Sequence, residues 1–182
     1  MNENPPDREQ WLQEALDQFE GRLLRYARQM VGDADLAADC VQETFLRLIR
    51  EDRERLEGHL GEWLFRVCRS RALDVLRKET RVAAKTVEMT EPEVAAGGGP
   101  DERLDREEGR LSVRDAIEGL GGREREIVRL KFEQGLSYRE IASVTGESQA
   151  SVGWLLNRAL KELRGRLKAM DRMPLGAARR GT

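Results

Sequence analysis

Three groups of side chains stand out by type and spacing, and what they offer is recognition rather than bond making. Gln149, Ala150, Gly153, Trp154 and Asn157 recur at intervals of a helical turn, with Arg139, Arg158 and Lys161 near them. On one helix face the two amides can pair with base edges, and the cations can meet phosphates. An amide paired with adenine gives roughly 1–3 kcal/mol of base discrimination. Ala and Gly add little, so shape and phosphate contact weigh as much as hydrogen bonds here. Trp154 fits two roles equally, packing on a neighbouring helix or facing nucleic acid. The second group is Arg66, Arg69, Ser70, Arg77, Lys78 and Arg81, which fall mostly on one side of a helix. Each phosphate neutralised there would add roughly −0.9 to the slope of log K against log salt on duplex DNA. The third is Asp39, Gln42, Glu43 and Leu46, an acidic face with an apolar residue at its rim, suited to a basic protein surface. Taken singly, the first group also fits an ordinary helical hairpin, and the other two fit a solvated helix face.

The elements that must hold these groups are helical. Gly135 to Arg158 reads as two short helices with a tight turn. Ser137 and Glu140 have capping-box spacing, which starts the first. Ile141, Ala142 and Val144 face inward, and Gly146 stands where the turn needs a positive φ or a close backbone approach. Ser148 caps the second helix, whose inward residues are Val152, Leu155, Leu156 and Ala159. This is helix-turn-helix spacing, in which the second helix enters the DNA major groove. The basic group lies on a helix starting at Glu62 or Trp63, with Leu64, Cys68, Ala72, Val75 and Leu76 inward. The acidic group lies on a helix started by Asp33 or Asp35, with the stripe Ala37, Val41, Phe45 and Leu48, ending near Arg50. Ahead of it, Leu12, Leu16, Phe19, Leu23, Ala27 and Met30 mark a helix from Asp7 to a C-cap at Gly32. Asp52 to Gly61 is polar and reads as a loop or a short irregular helix.

Periodicity vanishes over residues 82–103, where Glu88, Glu91, Pro92, Glu93, Gly97-Gly98-Gly99, Pro100 and Asp101 mark a flexible acidic linker. A structureless spacer of about 20 residues is uncommon inside one domain. Periodicity returns at Leu104, Leu111, Ile117 and Leu120 and breaks at Gly121-Gly122. It resumes from Arg123 to Gln134, with Ile127, Val128 and Leu130 inward and Gly135 closing the helix. The last helix continues through Leu160, Leu163 and Leu167. The expected fold is therefore all-α: two small helical domains at 8–81 and 104–170, a linker at 82–103, and a disordered tail at 171–182.

Composition agrees. The 182 residues are 39% hydrophobic, 36% charged and only 5% aromatic, which favours modest helical cores over one large core. A net charge of −2 looks wrong for a nucleic-acid binder until it is divided. Basic residues outnumber acidic ones by 6 to 2 over residues 63–81 and by 12 to 9 over 111–173. The excess reverses to 15 acidic against 8 basic over 1–62, and 8 against 4 over 82–110. Local sign decides where a polyanion docks. No run of about 18 apolar residues suggests a membrane span. The start lacks a basic-then-apolar leader, so the expected location is cytoplasmic. Cys40 and Cys68 sit among apolar neighbours as packing residues of a reducing compartment. His59 has no Cys or His nearby, and no catalytic constellation or phosphate-cradling loop is evident. The expectation is no enzyme activity, no metal and no cofactor.

In order, the acidic run Asp-Leu-Ala-Ala-Asp-Cys-Val-Gln-Glu-Thr-Phe, the run Trp63 to Arg77, the linker, Leu120 to Val128 and Gly135 to Ala142 resemble a sigma-70-family sigma factor of the small extracytoplasmic-function type. The resemblance covers about residues 10–81 and 104–168. It implies that Asp39, Gln42, Glu43 and Leu46 meet the clamp helices of RNA polymerase's largest subunit. The basic helix and the loop at 52–61 would hold the non-template strand of the −10 promoter element, where a base leaves the stack for a protein pocket. The second domain would read the −35 element as duplex. The linker would run through the polymerase's nucleic-acid channel, its charge imitating RNA. The free chain would be a monomer, and an anti-sigma factor clamping both domains would switch it off. Two departures stand out: Ser70 where members often carry Asn, and Gly153-Trp154-Leu155 where many carry a basic triplet. The competing reading is a stand-alone helix-turn-helix regulator with an N-terminal protein-interaction domain.

Overall fold

Local capping chemistry sets most of the helix boundaries. A computed structural model of the chain describes residues 5–86 and 113–171. Eight helices occupy them: α1 (Pro5–Val31), α2 (Ala34–Leu48), α3 (Arg53–Leu56), α4 (Leu60–Thr86), α5 (Val113–Glu118), α6 (Gly122–Phe132), α7 (Tyr138–Thr145) and α8 (Gln149–Asp171). There is no strand among the described residues. The expected linker, apart from its first residues, lies outside the described residues, as do the helical signals at Leu104 and Leu111 and nearly all of the expected tail.

In the first unit, α1 ends where Gly32 turns to φ 77° and donates its N–H to the Arg28 carbonyl at 2.9 Å. Of the two candidate starts for the next helix, Asp33 is the N-cap; its carboxylate accepts from the Leu36 N–H at 2.8 Å. Asp52 caps α3 in the same way through the Glu54 N–H. The stretch 52–61 thus contains one helical turn, tied to α1 by an Arg53–Asp7 ion pair of 2.8 Å. Arg8 adds to this by donating to the carbonyls of Ile49 and Glu51 at 2.6 and 3.0 Å. Helix α4 starts two residues earlier than its sequence pattern suggests and runs five residues past Arg81. Ala83 and Ala84 are strong helix formers, which outweighs the loss of an apolar stripe there.

Helices α1, α2 and α4 pack against one another. Their shared core holds Phe19, Leu23, Tyr26, Val41, Leu64 and Phe65, with Tyr26 and Phe65 edge to face at 5.4 Å between ring centres. Gly61 allows the close approach of α4 to α1, since a Cβ there would lie 3.0 Å from the Phe19 ring. Cys40 and Cys68 are buried free thiols. Burial pushes the Cys68 thiol up to about 12. Val75 and Leu76, expected to face inward, are only half-buried.

The second compact unit contains α5, α6, α8 and the first residues of α7. Its buried core is smaller-grained: Ile127, Val128, Leu130, Ile141, Val152, Leu156 and Ala159. Charge is part of the interior. Glu124 and Arg129 are each 7% exposed, and Glu118 pairs with both Arg125 (2.9 Å) and Arg129. Arg166 reaches back to the Gly119 carbonyl at 2.8 Å, fastening α8 to the α5–α6 turn.

Candidate nucleic-acid interface

The helix-turn-helix is built as its residues dictate. Ser137 Oγ accepts from the Glu140 N–H at 3.3 Å, and Glu140 Oε2 accepts from the Ser137 N–H at 2.7 Å. These bonds hold the Glu140 carboxyl below the usual carboxylate range. Gly146 takes φ 77°, a conformation that costs any residue with a Cβ, and its N–H closes on the Ala142 carbonyl at 2.9 Å. Ser148 Oγ accepts from the Ser151 N–H at 3.0 Å and opens α8. Ile141, Val144, Val152, Leu155, Leu156 and Ala159 are buried, and Ala142 is half-buried.

This leaves a consistent outer face on α8. Gln149, Ala150, Asn157, Arg158 and Lys161 are exposed, as is Arg139 on α7; Gly153 is half-buried. At helical spacing Gln149, Gly153 and Asn157 form one row, with Ala150, Trp154 and Lys161 beside it. Trp154 is 60% exposed, so it does not pack into the core. The Arg158 guanidinium lies 5.3 Å from the Trp154 ring centre and pairs with buried Glu124 at 3.2 Å. Sequence spacing places Arg158 near phosphates; in the structure its side chain is 57% exposed and also has a protein partner in Glu124. Glu124, 34 positions earlier in the chain, carries no local signal of that pairing. Tyr138, 41% exposed, lies under the Lys131 ammonium and opposite Gly153.

On α4, Arg66, Ser70, Arg77 and Arg81 form an exposed row, with half-buried Arg69 and exposed Lys78 on its flanks. Arg77 is shared with Asp74 at 3.1 Å, which offsets part of the row's charge. Sequence reasoning missed an open groove of about 410 Å³ along this helix, lined by Leu73, Leu76, Arg77, Thr80 and Arg81. The signal was present in Leu76 and Leu73, two apolar residues interleaved with the cations. The groove's lining combines the apolar Leu73 and Leu76 with Arg77, Thr80 and Arg81.

On α2, Asp39 and Gln42 are exposed, Glu43 is half-buried, and Leu46 is 45% exposed. Residues 39, 42, 43 and 46 therefore share one outward face, as their spacing required. Glu43 makes a partly exposed pair with Arg47 at 3.5 Å. Ile49, 51% exposed, lies just beyond the end of α2 and was not among the expected contact residues.

Comparison with known proteins decides what carries these three faces. Sigma-70 region 2 matches residues 15–82, and Sigma-70 region 4 matches residues 110–163. The ECF RNA polymerase sigma factor SigL of Mycobacterium tuberculosis is 31% identical over 154 residues, which cover 81% of this chain and 84% of SigL. The chain belongs to the sigma-70 family, as an ECF-type sigma factor. A second relative, ECF RNA polymerase sigma factor BldN of Streptomyces coelicolor, is 29% identical over 150 residues; the match covers 81% of this chain but only 56% of BldN. The fold resembles that of the sigma factor RpoE from Bartonella quintana, solved with the anti-sigma factor NepR. There the TM-score is 0.62 at 23% identity, covering 89% of this sigma factor and 97% of RpoE. The basic row of α4 lies within the region 2 match, and α7 with α8 as far as Leu163 lies within the region 4 match. No helix among the described residues is long and apolar enough to cross a membrane.

Proposed function

We propose that this sigma factor binds RNA polymerase core through α2 and directs it to a restricted set of promoters, while the polymerase performs the chemistry. One observation carries the reading: three outward faces of opposed character stand in family order on one chain. The acidic face of α2, with Leu46 and Ile49 beside it, suits the basic side of a coiled coil such as the clamp helices of the largest subunit. The cationic row of α4 and its groove suit an unstacked −10 strand, with phosphates at Arg66, Arg69, Arg77, Lys78 and Arg81 and Ser70 near a base. Unstacking costs a few kcal/mol, which pocket and backbone contacts offset. Helix α8 reads the −35 duplex with Gln149, Ala150, Gly153, Trp154 and Asn157, and with Arg139 and Lys161 at phosphates. Mounting both units on one polymerase raises the effective concentration of each at its element. An anti-sigma factor is the expected regulator. RpoE, of similar fold, was solved with one.

Charge reversal tests the core contact. Replacing Asp39 and Glu43 together by Arg abolishes core binding in a pull-down while helical content stays constant. Unaltered core binding by that variant removes the assignment of α2.

A further inference from the structure

Arg158 has protein partners on two sides. Its Nη2 lies 3.2 Å from Glu124 Oε1, and its guanidinium lies against the Trp154 ring four residues earlier in α8. Glu124 is 7% exposed at the start of α6. A carboxylate that deeply placed is costly to leave without its cation. The guanidinium, 57% exposed at the side chain, is tethered to Glu124 through Nη2, and its place over the indole ring restrains the indole in turn. Trp154 remains 60% exposed on the face that carries Gln149, Gly153 and Asn157. Gly153, with no side chain, leaves space beside it.

An indole held this way presents mainly apolar surface. In the major groove the one apolar group on a base edge is the C5-methyl of thymine. We propose that Trp154 recognises a thymine methyl in the −35 duplex, and that Arg158 is a positioning residue that makes no phosphate contact. The proposal rests on α8 entering that duplex, as argued above. It assigns this chain's departure from a basic triplet to a different kind of readout, in which apolar contact replaces charge.

The test uses holoenzyme assembled from the full chain and RNA polymerase core, on a promoter taken from mapped transcript starts. Each thymine of the −35 element is replaced in turn by deoxyuridine, which removes only the methyl. Wild type should lose about fourfold in affinity at one or two positions, the usual worth of one buried methyl. Trp154→Ala should be indifferent to the replacement at those positions, and Trp154→Phe should recover part of the sensitivity. Arg158→Lys keeps the charge and Arg158→Ala removes it; both should blunt the sensitivity while leaving the salt slope unchanged. A slope that flattens by about 0.9 in Arg158→Ala, with Arg158→Lys normal, would mean a phosphate contact and overturn the positioning role. A uridine profile identical in wild type and Trp154→Ala would overturn the methyl contact. Core-bound protein that shows no preference for any −35 duplex would instead remove the functional reading on which this one stands.

Discussion

The two helical units reach stability by different chemistry. The first packs large rings: Phe19, Tyr26, Trp63 and Phe65 are all buried, and Tyr26 meets Phe65 edge to face. The second buries no aromatic side chain among its described residues and instead takes Glu124 and Arg129 into its interior. Apolar packing neither titrates nor is screened by dissolved ions, whereas paired charges are subject to both. The difference suits the tasks proposed for them. The first unit is proposed to grip an opened strand, which calls for rigidity, and the second pairs its buried Glu124 with Arg158 of α8, the helix proposed to read duplex.

The strongest way to break this comparison is in the aromatic core. Phe65→Ala should cost about 3–5 kcal/mol, the usual range for a fully buried ring. Both cysteines lie in this unit as buried free thiols, and burial pushes the Cys68 thiol up, so slow alkylation in the native state is expected. Alkylation of Cys40 and Cys68 therefore reports opening of the first unit alone, and it should accelerate in Phe65→Ala. Unchanged labelling would show that the rings do not hold the unit closed.

In the second unit the corresponding change is Glu118→Ala, which strips Arg125 and Arg129 of a shared carboxylate. Glu118 is itself 45% exposed at the side chain, so solvent screening limits the effect to about 1–2 kcal/mol. That loss should shrink in high salt, read by denaturant melts with and without added chloride. An equal loss at all salt concentrations would place the effect in packing.

A smaller effect sits in the capping box. Ser137→Ala should cost about 1 kcal/mol. Because the Glu140 carboxyl titrates lower in the folded state than unfolded, its contribution is full above the unfolded value near 4.3. It is lost as pH falls through the folded value. An NMR titration of Glu140 should show the depressed midpoint in wild type and a rise toward the ordinary value in Ser137→Ala. The smallest effect is a gain: Gly153→Ala places a Cβ in ordinary contact with Tyr138, 3.7 Å away, and should stabilise α8 by about 0.5–1 kcal/mol. If the same change weakens −35 selection, the gap beside Trp154 is occupied by DNA.

What could be read in the sequence followed from how local its cause is. The Ser137–Glu140 box and the Gly146 turn are set within a few residues and were visible in the chain; Asp33 was one of two candidate helix starts, and the Asp52 cap was not singled out. The outward faces of α2, α4 and α8 were also legible, since helical periodicity alone sorts Asp39, Gln42, Glu43 and Leu46, or Arg66 and Ser70, from buried neighbours. Less legible were features made by distant partners. The turn at α3 depends on Asp7, Arg8 and Arg53 meeting across some forty positions. The groove on α4 is lined by Leu73 and Leu76, which helical periodicity alone would have turned toward a core. The Arg158–Glu124 pair was not legible either, because nothing near Arg158 in sequence points to Glu124.

The account as a whole stands on dependence on polymerase. Promoter-selective transcription and promoter binding should be measured with the purified full chain, with and without RNA polymerase core. The expected result is selective initiation with core, and weak binding without selectivity by the chain alone. Tight, sequence-specific duplex binding by the free chain, unchanged when core is added, would contradict it and favour a stand-alone helix-turn-helix regulator.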